Sequence, residues 1–283
     1  AIKLNPSHIG AYFNGGNVLQ ELRRLNEAID FYDRSIAISP DFAFVHGNRA
    51  NALYALKRYT EAIVSYDNAI KLEPNLPELH HNRGIVLRHM NRTEEALSSQ
   101  KEALRLNPDY PYLKGIILYS YLRLCDWARF YEDVNDLRAN LHVSKKTAFS
   151  FAVLVVTDSL SDHLCAASVW ANDKHPVQSV LGLIPKKSKT NKVRIGYFSA
   201  DFHNHATTWL MAELFERHDR TRFELFAFSF GPDSQDHMRQ RVVAAFDHFI
   251  DVRSMSDLEV AQLSRSLGID IAVDLKGYTE DYR

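Results

Sequence analysis

"AIKLEP", residues 69–74, decides the fold, because residues 1–6 have already spelled almost the same word, "AIKLNP". The same ending recurs as "AISP" at Pro40 and "RLNP" at Pro108, so Pro6, Pro40, Pro74 and Pro108 fall at a constant step of 34 residues. Other positions keep that step. Ala28, Ala62 and Ala96 form one series; Tyr32 and Tyr66 form a second, broken by Gln100; Gly16 and Gly84 form a third, with Ala50 between them. Self-similarity at a fixed period of this length is the signature of a stacked repeat architecture.

Each unit reads as two helices. Ile9–Leu22 and Asn26–Ile38 place apolar residues one helical turn apart, and the polar "RRLN" separates them. Proline closes the second helix. Such a pair can bury its apolar stripe only against neighbouring pairs, so the reading is an α-solenoid over residues 1 to about 110. The unit resembles the tetratricopeptide repeat. Residues 1–6 then read as the last turn of a unit whose first helix is missing. With nothing polar closing that end, the expectation is a piece cut from a longer repeat array.

Bulk properties narrow the field. The 283 residues suit about two domains, and 46% apolar with 24% charged residues is an ordinary globular balance. A formal net charge of −1 argues against nucleic acid or membrane as partner. Two cysteines, Cys125 and Cys165, form no CxxC pair, which excludes a zinc ribbon or disulfide framework and fits a cytoplasmic location. "FAVLVV", residues 151–156, is far too short to span a bilayer.

Asn14, Asn48 and Asn82 occupy one position in three successive first helices. They lie about 200° around the helix from Tyr12, His46 and His80. A ladder of amides, each able to donate and accept, suits clamping an extended peptide on the concave face. Hydrogen bonding to a neighbouring turn is the competing reading. Residues 111–172 read as degenerate capping helices and connector, including helices at 145–157 and 161–171. Residues 173–192 read as a linker, whose Lys186, Lys187, Lys189 and Lys192, with Arg194 just after, look solvated rather than phosphate-binding.

From residue 193 the pattern changes. "VRIGYFS" (193–199), "FELFAFS" (223–229), "HFIDV" (248–252) and "IDIAVDL" (269–275) read as strands, with helical stretches between them. Strand–helix alternation predicts a Rossmann-like parallel sheet, with ligands gathered at the carboxyl ends of the strands. The first of those ends, "SADFHNHATT", offers Asp201, His203 and His205 before a helix start, where anions and proton transfer are both favoured. A loop histidine is often merely exposed, and this chain has 13. As a loop residue, His205 is expected to matter little for stability. Asp274 and Tyr278, at the end of the fourth strand, flank the same edge if strands one and four are neighbours. No GxGxxG follows strand one, which argues against a dinucleotide enzyme.

"VRIGYFSADFHNHATTWLMAELFERHD", "FGPDSQDHMRQR", "FIDV" and "IDIAVDLKGYT" together resemble the start of the catalytic region of the protein O-linked N-acetylglucosamine transferases and their Spindly-type relatives, and "LCDW" (124–127) is similar to the bacterial members' connector. The resemblance implies a tetratricopeptide α-solenoid followed by the first Rossmann-like half, 193–283, of a two-domain glycosyltransferase. It implies transfer of a sugar, N-acetylglucosamine from UDP-N-acetylglucosamine, to Ser or Thr hydroxyls of acceptor proteins held by the repeats. The nucleotide sugar is a substrate, and no cofactor or metal is expected. The family's histidine, base or substrate-orienting, falls on His205 and its asparagine ladder on Asn14, Asn48 and Asn82. The second half-domain is missing after Arg283, so this piece is expected to be inactive alone. The alternatives are a Spindly-type O-fucosyltransferase using GDP-fucose and a peptide-binding scaffold without catalysis.

Overall fold

The computed structural model describes residues 5, 7–143, 145–176, 179–184 and 191–277. The partial repeat expected at 1–6, apart from Asn5, and the lysines at 186, 187 and 189 lie outside the described residues. The chain divides into two compact units, residues 1–177 and 178–283.

The first unit opens with three helix pairs: α1 Ile9–Glu21 with α2 Leu25–Ile38, α3 Ala43–Ala55 with α4 Tyr59–Leu72, and α5 Pro77–His89 with α6 Thr93–Leu106. The turn inside each pair is built identically. Arg23, Lys57 and Asn91 take left-handed φ values of 60°, 61° and 58°. The next amide in each case reaches back five residues: Arg24 to Leu19, Arg58 to Leu53 and Arg92 to Leu87, at 2.8–2.9 Å. This is the Schellman arrangement, and its two extra hydrogen bonds offset the left-handed cost in residues other than glycine. Tyr32 and Tyr66 are buried at the centre of the stack with Ala28, Ala62 and Leu53. A Cβ on Gly16 would stand 2.5 Å from the Tyr32 ring, so glycine lets that ring close directly onto α1, where Ala50 holds the same position in the next unit. Arg49 ties α3 to Asp33 of α2 and Ser65 of α4, and Arg83 repeats the same lock one unit on with Asp67 and Ser99.

Beyond the repeats come α7 Leu113–Arg123, α8 Phe130–His142, α9 Ser150–Leu154 and α10 Leu160–Lys174. The helix expected at 145–157 is only α9. Residues 145–149 instead run non-helically past the start of α7, where the Tyr112 and Gly115 amides donate to the Lys146 and Thr147 carbonyls. The first amides of any helix lack intrahelical partners, and this segment supplies them. A Cβ on Gly115 would approach the Ala148 Cβ to 2.4 Å, so glycine also makes the room. Helix α10 outlasts its expected end, and Asp173, read as linker, accepts from Tyr112 at 2.8 Å and pairs with Lys146.

The second unit is a sheet of β1 Val193–Ser199, β2 Phe223–Ser229, β3 His248–Asp251 and β4 Ile271–Asp274, in order β3-β2-β1-β4, every pairing parallel. Helices α11 Ala206–Glu216, α12 His237–Ala245 and α13 Asp257–Ser266 alternate with the strands. Alternate residues of β2 feed opposite faces. Leu225 and Ala227 pack with Phe215, Val242 and Phe246, while Phe226 and Phe228 pack with Val252, Val260 and Leu263. A sheet covered on both faces leaves its strand ends as the place for chemistry. Arg194, read as part of a solvated basic run, is instead fixed at the foot of β1 by Glu224 at 2.8 Å and the Leu267 carbonyl at 2.9 Å. Among the described residues no helix is long and apolar enough to cross a membrane.

Candidate active site

After β1 the chain folds over the carboxyl edge of the sheet. The Phe202 ring is 1% exposed and sits among Phe215, Phe246 and Phe249, pinning the loop from below. From above, the nearly buried Arg239 donates to the Phe202 carbonyl at 3.1 Å and to Ser229 Oγ at 2.8 Å, its guanidinium 4.4 Å over the Phe249 ring. Burial pulls the Arg239 pKa below its ordinary value, with nearby Asp233 and Asp251 opposing that shift. Asp236 caps α12 through the Arg239 amide and also accepts from the Asn204 amide at 3.1 Å, fastening the β1 loop to α12. These bonds, first among them the one from Ser234, hold its carboxyl well below the usual carboxylate range.

The loop so fixed presents Asp201, 6% exposed, to Lys276 Nζ at 3.0 and 3.2 Å. The two are 75 residues apart and meet because β1 and β4 are neighbours. On the other side of Asp201, its Oδ2 is 3.6 Å from His205 Nδ1. His205 is the N-cap of α11: Nδ1 accepts the Thr207 amide proton at 3.2 Å. A nitrogen that accepts has no proton in the neutral ring, so the proton is assigned to Nε2, leaving that atom a donor. His205, expected as a loop residue to matter little for stability, thus also satisfies one of the amides at the start of α11.

These groups line an open cleft of about 890 Å³ with His203, Thr207 and Arg253. Gly231, in the loop after β2, lies so close to the first loop that a Cβ there would be 1.7 Å from the Ala200 carbonyl oxygen. Arg253 donates to both Asp251 oxygens, holding that carboxyl down to about 2. A larger hollow, about 1010 Å³ between α4, α5 and α6, holds charges already paired as Arg83–Asp67 and Arg105–Glu102.

Of the residues expected at the edge, His205 and Asp201 come together at the cleft. Asp274 ends β4, but its carboxylate accepts from the Lys276 and Gly277 amides at 2.8 and 3.0 Å, shaping the turn that delivers Lys276. Tyr278 lies outside the described residues. Lys276, Arg239 and Arg253 are the site residues that sequence reading missed. The available signal for Lys276 was a lysine between the aspartate and glycine that end a strand.

In the repeats, Asn14 is exposed and Asn48 and Asn82 are half-buried. The amides do not bond to one another. Asn48 Nδ2 donates to Asn17 at 2.9 Å and Asn82 Nδ2 to Asn51 at 3.5 Å, while Tyr32 and Tyr66 donate to the same two acceptors. The neighbour-bonding reading thus holds for one N–H of each, and no bond to Oδ1 of Asn48 or Asn82 occurs among the described residues.

Residues 159–283 match glycosyl transferase family 41, and residues 9–42, 50–90 and 77–110 match tetratricopeptide repeats. Over 100 residues, 35% of the chain, it is 33% identical to an Arabidopsis thaliana protein named "Probable UDP-N-acetylglucosamine--peptide N-acetylglucosaminyltransferase SEC", covering 10% of that protein. Over 93 residues, 32% of the chain, it is 32% identical to the Caenorhabditis elegans UDP-N-acetylglucosamine--peptide N-acetylglucosaminyltransferase, covering 8% of it. The matches thus span about a tenth of those relatives' length. The fold is similar to that of a Thermobaculum terrenum O-GlcNAc transferase mutant, with TM-score 0.53 and 23% identity over 93% of this chain and 45% of that one. Tetratricopeptide repeats and then a region similar to glycosyl transferase family 41 thus follow one another along the chain in the order of these matches.

Proposed function

We propose that the protein transfers a sugar from a nucleotide donor, N-acetylglucosamine from UDP-N-acetylglucosamine, to Ser or Thr hydroxyls of polypeptides held by its repeats. The observation that carries this reading is the convergence of His205, Asp201 and Lys276 at an open cleft on the carboxyl edge of the sheet. Transfer to a hydroxyl needs the acceptor oxygen aligned on the anomeric carbon. His205, an Nε2 donor in its capped tautomer, is suited to hold an oxygen of acceptor or sugar. Taking the acceptor's proton would require Nδ1 to release Thr207 and donate toward Asp201. The Lys276 ammonium pairs with Asp201 at 3.0 Å and fixes its carboxylate beside His205 for either task. The nucleotide sugar enters as a substrate, and the transfer asks no metal of these residues.

The Oδ1 atoms of Asn48 and Asn82 support the peptide half of the proposal, as does a hollow of about 560 Å³ lined by Asn17, Gln20, Glu21 and Asn48. The test is turnover of a peptide acceptor by the full-length protein, with UDP-N-acetylglucosamine and GDP-fucose compared as donors. His205→Ala is expected to lower turnover by ~10²-fold, the scale of lost acid–base help. Wild-type turnover in that variant, or transfer from GDP-fucose alone, overturns the reading as stated.

A further inference from the structure

A second cluster of reactive side chains lies in the first unit, among α8 and α10. Cys165 Sγ is 3.7 Å from His142 Nδ1, and His142 Nε2 is 2.8 Å from Asp162 Oδ1. Asp162 and Cys165 stand one turn apart on α10, and His142, the last residue of α8, bridges both. Asp162 is fully buried, and its other oxygen receives Thr157 Oγ1 at 3.1 Å and faces the Arg138 guanidinium at 2.6 Å. Burial alone would raise the carboxyl pKa. The hydrogen bonds from His142 and Thr157, with the Arg138 charge, outweigh it and leave the pKa below its ordinary value.

A buried carboxylate can only accept from His142, so the proton of the neutral ring sits on Nε2. Nδ1 is then a lone pair directed to the thiol. This is the order of nucleophile, base and orienting carboxylate that activates a thiol. The His142 side chain is 46% exposed, and Cys165 is half-buried. Both residues of the pair are thus open in part to a small electrophile.

We propose that Cys165 is an activated thiol and a site of oxidation by small hydroperoxides, with His142 as its base and Asp162 as the residue that positions His142. The thiol proton passes to Nδ1, and the thiolate sulfur attacks one peroxide oxygen. The S–O bond forms as the O–O bond breaks. The departing hydroxide takes the proton back from Nδ1. Thiol and hydrogen peroxide thus become sulfenic acid and water, with sulfur losing the two electrons that the peroxide gains. A thiol without such partners stays largely protonated near neutral pH and reacts slowly.

Cys125 provides the internal control. It is exposed, at the turn after α7, and no histidine or carboxylate bonds to its sulfur among the described residues. In the intact chain at about pH 7, iodoacetamide labelling followed by peptide mass spectrometry is expected to modify Cys165 at least tenfold faster than Cys125, despite its lower exposure. Dimedone trapping after hydrogen peroxide should mark Cys165 first. His142→Gln, which can still donate to Asp162, should bring the Cys165 rate down to or below that of Cys125. Equal or slower labelling of Cys165 in the wild-type chain overturns the proposal, whatever the variant does. So does an unchanged Cys165 rate in a folded His142→Gln protein.

Discussion

The two units solve the problem of placing polar groups in opposite ways. In the repeats, one local solution is written at a fixed step: the Schellman turns, the arginine locks and the tyrosine–asparagine–asparagine relays recur, each copy supported by its neighbours. At the sheet edge nothing is duplicated. Asp201 from the end of β1, Gly231 after β2, Arg253 after β3 and Lys276 after β4 meet once. Redundancy spreads a fault across many contacts, whereas convergence concentrates it in one.

That contrast can be broken by mutation. The largest effect on folding is expected from Gly231→Ala. The new methyl would meet backbone rather than a movable side chain, at 1.7 Å from the Ala200 oxygen. Separating the loops should cost about 3 kcal/mol or more, read as a fall in Tm and loss of activity together. If that variant melts with the wild type, the sheet edge is more yielding than its geometry implies. His205→Ala, with its turnover loss, should also cost about 1 kcal/mol because α11 loses its cap. A melting curve beside the kinetic assay separates the two losses.

In the repeats the effects should be graded. Asn17→Ala removes the acceptor shared by Tyr32 and Asn48 and leaves the Tyr32 hydroxyl only Gln20 Oε1 at 3.1 Å, for roughly 1 kcal/mol of stability. Replacing Asn14, Asn48 and Asn82 together by Ala should weaken binding of an extended peptide by about 1 kcal/mol per lost bond, measured by titration calorimetry. Undiminished affinity would leave those amides a purely structural role. A separate effect follows pH. His81 lies against Tyr110, and burial first, with Arg88 adding to it, lowers its pKa from 6.5 to about 4. Between those values the unfolded chain binds the proton that the folded chain refuses. Stability should therefore fall as pH drops from 6.5 toward 4, then level off. His81→Phe should flatten that slope in a pH series of melting curves.

The legible parts of the molecule were the local ones. Strands β1 and β2 run over the residues their β-type composition marks, and Ser256 caps α13 through a reciprocal bond with Glu259. Such signals act within a few residues of their cause. Lys276 and Arg239 escaped because their partners are brought to them only by the order of the strands and the packing of α12. Residues 145–149 escaped for the same reason. What keeps them from being helical is the unpaired amides of α7, more than 30 positions upstream. His205 was legible as a candidate, but its capping bond was not, since residue type alone cannot say which nitrogen accepts.

The recurring arginine lock has a consequence for how such a chain can change length. Arg49 and Arg83 each bind the second helix of the unit before and the second helix of their own unit. A tandem copy of residues 43–76 would therefore meet complementary faces on both sides, with no new interface to invent. The solenoid is in effect a ruler whose divisions are interchangeable, so gene duplication can lengthen it one notch at a time.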